Sequence, residues 1–376
     1  MERECLFVSH GTAVELNRAI FRGEISALSD PDITILPEPS LCIRGQRQFR
    51  ELAQQTPDLW NSRRPGPIHA IVPFASARSN GEAVRFHVWG APVPDKAFVR
   101  VHERVLVSSP LFTVLQLALA TRPSRLVKER AHKSAMEEER MRRELGLSPS
   151  RVSMADLLAW EHVKRTVESA CIFTEIAGTY CLPAREGESV IYGVSPRVVR
   201  AQMDEFLNGW PALKGIMRAR CVAACAFDGS ASPMETALAL MLTLPVAWGG
   251  YGLPRPELNA RVAVHGDARA LSSKADMFID LLWKREGVAV EYDSREFHGL
   301  QGSAKLVMDT ERANSLTALG YHALSVTYLQ VTQQSRLDLL ARQIAGLLGV
   351  RLVEPDETQL VWRTRLHALL MPVANS

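Results

Sequence analysis

Two short runs in which apolar residues alternate with others, MFIDLLW and VAVEYD, are separated by the polar segment KREG. A period of two interrupted by a glycine-containing segment predicts a β-hairpin. If KREG is a four-residue loop, Trp283 faces Val288, and counting back places Asp280 opposite Glu291. A two-residue turn would instead place Asp280 opposite Asp293. Because strand side chains alternate, the three acids share one face of the hairpin in either register.

The shared face of this hairpin has two interpretations. Opposed positions have Cβ atoms about 4.5–5.5 Å apart, and like charges there repel. The acids could line the solvent-exposed face of an ordinary sheet. A divalent cation such as Mg²⁺ would instead need carboxylate oxygens held close together. Phe278 and Leu282 flank Asp280, and Ala289 flanks Glu291, so the face is mixed. This favours a partly covered cleft, where acids need a partner or a metal.

The flanking segments predict further helices and a strand. Upstream, SASPMETALALMLTLP predicts a helix with Ser232 as N-cap, Pro233 at its first position and Glu235 at capping-box spacing. Downstream, AKLVMDTERANSLTALG predicts a helix that ends at Gly320. An apolar strand, YHALSVTY, and another helix, QSRLDLLARQIAGLLG, follow. The predicted order around the hairpin is helix, strand, strand, helix, strand.

This order, with SPMET, IDLLW, VEYDS, REFH, DTER and GYHALSVT, resembles the PD-(D/E)xK nuclease superfamily. The nearest similarity is to the branch related to the very-short-patch-repair (Vsr) endonucleases, over about residues 214–335. The resemblance implies an α/β protein with a C-terminal restriction-endonuclease-like domain that cuts DNA phosphodiester bonds. It also implies Mg²⁺ or Mn²⁺ as cofactor, held by Asp280 and Glu291, with Glu235 as a third catalytic carboxylate.

The chain departs from the superfamily pattern at the position of its lysine, which here is Asp293. Asp293 is therefore a candidate catalytic residue and metal ligand. Vsr-type relatives also lack the lysine and use a nearby histidine, which makes His298 the candidate acid/base. Two alternatives stay open: Glu235 could serve only as a capping residue, and His298 could be a surface loop residue. Arg312 is predicted to have a structural role or to contact a nucleic-acid phosphate.

Composition sets broader limits on the class of protein. The 376 residues are 47% hydrophobic and 23% charged, as in an ordinary globular protein of two or three domains. The six cysteines include no CxxC pair, so a zinc site is not expected. No secretory signal or membrane-spanning run is found, which predicts a cytoplasmic protein with no membrane partner. The net charge of +3 is small, and the candidate basic surface is Lys214, Arg218 and Arg220.

Four domains or segments are predicted along the chain. Residues 1–121 form a separate N-terminal α+β domain, in which VSHGTA, IHAIVP and SSPLFTVLQLALA resemble the middle domain of AbiEi-type antitoxins. Residues 122–198 form a charged helical connector, in which the charge-dense stretch Arg122–Leu147 is predicted to be a solvated helix or a mobile segment. Residues 199–350 form the nuclease-like domain, and residues 351–376 form a C-terminal docking helix.

The resulting hypothesis is a metal-dependent endonuclease that hydrolyses DNA in defence or repair. The alternative is a non-catalytic regulator on a nuclease-derived scaffold, binding DNA or, in the manner of an antitoxin, a cognate toxin. Retention of Asp280, Glu291 and Asp293 favours the enzyme. The missing lysine and the antitoxin-like N-terminal part favour the regulator.

Overall fold

The computed structural model of the protein describes residues 4–28, 35–60, 66–75, 80–120, 135–149, 153–185, 187–210, 212–271, 275–293 and 303–371, with the backbone alone at 39 and 303–309. Within these residues, helices and strands intermix in three sheets, two of them mixed, which confirms the predicted α/β class. The chain divides into two compact units. The first combines Met1–Thr121 with Tyr180–Ala224, and the second combines Arg122–Thr179 with Cys225–Ser376.

The first unit is built around five strands: β1 (Leu6–Val8), β2 (Ile68–Val72), β3 (Val84–Val88), β4 (Phe98–His102) and β5 (Val105–Ser108). They form one sheet in the order β3-β2-β1-β5-β4. Strand β1 is parallel to β5 and antiparallel to β2. Helix α1 (His10–Phe21) follows β1, and helix α4 (Pro110–Leu119) follows β5. Because these two strands are parallel, both helices begin at the same edge of the sheet.

The remaining elements of the first unit are short. They are helices α2 (Gln46–Gln55) and α3 (Pro57–Trp60), a 3-10 turn at Pro39–Leu41, the paired strands β6 (Tyr180–Cys181) and β7 (Ile191–Tyr192), and helices α7 (Arg200–Asn208) and α8 (Ile216–Cys225). Leu52 of α2 packs into the same apolar core as Leu16 of α1 and Phe86 of β3. Burial of this apolar surface is the main force that holds the unit together.

The second unit contains four strands: β8 (Glu257–Ala263), β9 (Asp276–Trp283), β10 (Val288–Asp293) and β11 (His322–Thr327). Its helices are α5 (residues 135–144), α6 (Met154–Ile176), α9 (Pro233–Thr243), α10 (Ala268–Leu271), α11 (Ser303–Ala318), α12 (Tyr328–Thr332), α13 (Gln334–Leu347) and α14 (Glu357–Leu370), with a 3-10 turn at Val246–Trp248. The sheet order is β11-β10-β9-β8. Strands β10 and β11 are parallel, whereas the other two pairs are antiparallel.

The hairpin register is the one expected for a four-residue loop. Val288 pairs with Trp283 and Val290 pairs with Leu281, so the predicted pairing is confirmed. Gly287, the last loop residue, has φ 67°, a left-handed conformation that glycine adopts without a Cβ clash. The predicted order of elements was incomplete, because strand β8 lies between α9 and the hairpin. Its sequence, ELNARVA, has the strict alternation of a strand with one buried face.

The charged stretch that was predicted to be solvated is partly buried, which corrects the sequence analysis. Glu138 and Arg142 are 6% and 5% exposed. Glu138 forms an ion pair of 2.9 Å with Arg365 of α14, and Arg142 forms one with Glu357. Charges this deeply buried need partners, and the partners lie more than 200 residues away in the sequence. Across the described ranges, no helix has the length and apolar character to cross a membrane.

Candidate functional site

Helix α9 carries the first carboxylate of the candidate site. Ser232 is its N-cap and accepts a hydrogen bond from the backbone N–H of Glu235, and Pro233 is its first residue, as predicted. Glu235 Oε2 accepts a hydrogen bond of 2.9 Å from the backbone N–H of Ala231. Glu235 is only 6% exposed. The residue therefore helps to cap the helix and also brings a carboxylate into the interior of the unit.

The second carboxylate, Asp280, projects from β9 just beyond the residues that pair with β10. Its Oδ2 accepts a hydrogen bond of 2.7 Å from the backbone N–H of Tyr292. The carboxylate of Asp280 therefore accepts the hydrogen bond that a backbone carbonyl oxygen of β9 would accept if the paired part of the hairpin were longer. Asp280 thereby links the two strands of the hairpin at the point where the acids lie.

The third carboxylate, Glu291 of β10, is bound by Arg312 of α11. Arg312 Nη2 lies 2.8 Å from Glu291 Oε1 and 2.7 Å from Oε2. The same nitrogen donates a hydrogen bond to the carbonyl oxygen of Phe278. The Arg312 side chain is 33% exposed and that of Glu291 is 21% exposed, so the pair lies at the edge of the buried region. The structural role predicted for Arg312 has a physical basis in these contacts.

The three carboxylates interact electrostatically. Burial raises the pKa of Glu235 to about 7, and the charges of Asp280 and Glu291 contribute in the same direction. Burial also raises the pKa of Glu291 to about 7, against the opposing effect of Arg312. Burial raises the pKa of Asp280, whereas the Tyr292 N–H and Arg312 lower it. Side chains from α9, β9 and β10 are therefore close enough to disfavour each other's ionised forms.

The donor atoms of this site fit the ion that the resemblance implies. Asp280 and Glu291 supply carboxylate oxygens, and Mg²⁺ commonly binds one or two carboxylates together with waters. In the part of the chain that the structure describes, however, no group of three or more His, Cys, Asp or Glu side chains is arranged to hold a metal ion. Asp280, Glu291 and Asp293 stay candidate ligands, and the carboxylate of Glu291 is hydrogen-bonded to Arg312.

The other two predicted catalytic residues are Asp293 and His298. Asp293 is the last residue of β10, is half-buried and pairs in register with Thr327 of β11. His298 lies outside the described residues, so its predicted role as acid/base stays a prediction.

The predicted basic surface lies in the first unit, whereas the carboxylates lie in the second. Arg218 donates a hydrogen bond to the carbonyl oxygen of Leu119, and Arg220 donates one to Asn208. Lys214 is exposed just before α8. The two arginines therefore contribute to the packing of the first unit, and their proposed contact with nucleic acid stays a prediction.

A histidine cluster in the first unit was not predicted. The ring of His10 stacks on that of His87 with centroids 3.9 Å apart, and His69 Nδ1 lies 2.8 Å from His87 Nε2. His10 has φ 51°, a left-handed conformation that is uncommon outside glycine. The position of His10 between an apolar strand and a helix in VSHGTA was the sequence feature that could have drawn attention to it.

Comparison with known proteins gives no independent assignment. No family model matches the chain, and neither a curated protein nor a solved structure matches it.

Proposed function

We propose that the second unit hydrolyses DNA phosphodiester bonds with the help of a divalent metal ion, Mg²⁺ or Mn²⁺. The observation that carries this proposal is the convergence of Glu235, Asp280 and Glu291 from one helix and two strands. Burying like charges side by side disfavours folding. Such arrangements are concentrated at sites that bind cations or transfer protons.

The architecture around the acids supports the same proposal. The carboxylates lie on or beside the central hairpin of a mixed sheet, with α9 carrying Glu235 and α11 carrying Arg312. This agrees with the restriction-endonuclease-like arrangement that the sequence resemblance implies, with β8 as an additional strand. We therefore propose a restriction-endonuclease-like fold for the second unit.

The carboxylates have two kinds of role in the proposed reaction, metal binding and proton transfer. When bound, the metal ion would polarise the scissile phosphate and lower the pKa of a bound water. Asp280 and Glu291 would hold the ion. Glu235, which lies beside these two carboxylates, would accept a proton from the bound water. Asp293 would add negative charge at the end of β10, and His298 remains the second candidate for proton transfer.

One observation favours a second function, a non-catalytic regulator that binds DNA or a toxin on the same scaffold. Arg312 neutralises Glu291, and no three-ligand metal group is preformed among the described residues. In a protein that had lost catalysis, the ion pair between Arg312 and Glu291 would persist, because no metal ion would have to bind there. The two proposals differ in one consequence: only the nuclease requires Arg312 to leave Glu291.

The proposal is tested by incubating the purified full-length protein with supercoiled, linear duplex and single-stranded DNA. Parallel reactions would contain Mg²⁺, Mn²⁺ or EDTA. We expect nicking or cutting of at least one DNA form with a metal and none with EDTA. Cleavage in EDTA would contradict the metal-dependent mechanism. Binding of DNA without cleavage in either metal would favour the regulator.

A further inference from the structure

We infer that Arg312 takes the place of the divalent ion in the metal-free site and must leave Glu291 before the ion binds. The inference rests on the proposed function. A single nitrogen, Nη2 of Arg312, lies within hydrogen-bond distance of both carboxylate oxygens of Glu291 and also bonds to the Phe278 carbonyl. One positively charged donor therefore lies among three oxygens, as a small cation would.

The two cations exclude each other for electrostatic and steric reasons. A metal ion bound through Glu291 needs the same lone pairs that Arg312 Nη2 now engages. Like charges about 4 Å apart also repel, more strongly near a buried site than in water. Arg312 therefore lowers metal affinity while compensating charge around Glu291. The positive charge of Arg312 therefore lets these carboxylates be buried together when no metal ion is bound.

Release of Arg312 is feasible, and it suggests how substrate controls metal loading. The Arg312 side chain is one-third exposed and reaches the site from α11. A freed guanidinium beside the site can bind a phosphate, for which its planar fork of donors is well suited. A DNA phosphate that draws Arg312 away from Glu291 would raise metal affinity, and the metal would raise DNA affinity by the same factor. The site would load its metal mainly when DNA is present.

The competition is measured directly as Mn²⁺ binding to the metal-free full-length protein, by the electron paramagnetic resonance of free Mn²⁺. Removing a cation that contacts a carboxylate changes the affinity of that carboxylate for another cation, such as a proton, by about tenfold or more. We therefore expect Arg312→Gln to bind Mn²⁺ about tenfold more tightly than wild type. Arg312→Lys, which keeps the charge, should stay closer to wild type.

Arg261 provides the matched control, because it forms an exposed ion pair of 2.7 Å with Asp276 in the same sheet. Arg261→Gln should not change Mn²⁺ affinity. Unchanged or weaker Mn²⁺ binding by a folded Arg312→Gln variant would overturn the inference. If that variant does not fold in EDTA, its recovery by Mn²⁺ in thermal unfolding would support the inference, and failure to recover would mark Arg312 as purely structural.

Failure of the inference is distinguishable from failure of the proposed function. Equal Mn²⁺ affinity in wild type and Arg312→Gln, lost in Glu291→Gln, would reject competition and leave the metal site standing. No Mn²⁺ binding by any variant would reject the metal-dependent function itself. A short phosphorothioate DNA duplex, after subtraction of its own Mn²⁺ binding, should raise Mn²⁺ affinity by a larger factor in wild type than in Arg312→Gln. An equal effect in Arg312→Gln would overturn the coupling to DNA.

Discussion

The backbone N–H of Tyr292 donates a hydrogen bond of 2.7 Å to the carboxylate of Asp280, just past the last paired residues of the central hairpin. Asp280 thus closes the hairpin and also places a charge next to Glu235. These two roles require different properties of the side chain. The hydrogen bond requires only an acceptor oxygen, whereas metal binding requires a carboxylate.

Two substitutions at Asp280 should separate these roles. Asp280→Asn keeps an acceptor for Tyr292 and should change the free energy of unfolding by less than about 1 kcal/mol, while Mn²⁺ binding and cleavage are lost. Asp280→Ala leaves the partly buried N–H without its acceptor and should cost about 1–3 kcal/mol. Chemical denaturation together with a cleavage assay measures both effects. Full activity in Asp280→Asn would show that this carboxylate is not a ligand.

The raised pKa of Glu235 predicts how stability depends on pH in EDTA. The folded protein favours protonated Glu235, because burial raises the pKa of this carboxyl from its ordinary value of 4.5 to about 7. The stabilisation that comes from protonated Glu235 is therefore complete below about pH 4.5 and is lost as the pH rises through 7. Each unit of difference between the folded and unfolded pKa corresponds to about 1.4 kcal/mol in the free energy of unfolding. Glu235→Gln mimics the protonated acid and should be more stable than wild type at pH 8. Equal or lower stability of the variant at pH 8 would contradict this.

The histidine cluster predicts the opposite dependence at acidic pH. Burial, followed by the charges of His87 and His69, lowers the pKa of His10 well below 6.5. The unfolded chain then binds the extra proton first, so stability falls as pH drops below about 6.5. His10→Asn tolerates the left-handed backbone and removes the ionisation, and it should flatten this slope in denaturation curves. His102→Asn, on β4 of the same unit and outside the cluster, should flatten the slope less than His10→Asn does; an unchanged slope in His10→Asn would refute the assignment.

The buried pair of Glu138 and Arg365 predicts a large effect far from the carboxylate site. Their side chains are 8% and 6% exposed. Removing one partner leaves an uncompensated buried charge, which typically costs about 3–5 kcal/mol. Glu138→Gln should therefore lower the midpoint of thermal unfolding strongly. Glu139, the exposed neighbour of Glu138, gives the control, because Glu139→Gln should change the midpoint of thermal unfolding little. Similar falls of the midpoint in both variants would argue against a specific pair.

Local features of the second unit could be predicted from the sequence. The pairing of Trp283 with Val288 follows from a short loop and a period of two, and the capping role of Ser232 follows from residue types within one helical turn. Both depend on neighbours in the chain. Strand β8 was equally visible in the alternation of Glu257–Ala263, but it was not included in the predicted order.

Contacts between distant segments could not be predicted in the same way. The bond between Arg312 and Glu291 depends on how α11 packs against the sheet, and the sequence alone predicted a structural role for Arg312 without naming its partner. Likewise, the charges around Glu138 look like a solvated helix until α14 supplies Arg365. In each case, the docking of one element on another determines the partner of a charge, and hydrophobic periodicity does not specify that partner.

The most direct test of the central claim is DNA cleavage by Glu291→Gln, compared with Glu286→Gln in the exposed hairpin loop. Both variants would be assayed with excess enzyme on the DNA form that wild type cuts, in Mg²⁺ and in Mn²⁺. Loss of outer ligand contacts alone typically costs about 10–100-fold, so loss of a direct ligand should cost more than about 100-fold. We expect that loss in Glu291→Gln and wild-type rates in Glu286→Gln. Wild-type cleavage by a folded Glu291→Gln variant would contradict the proposed site.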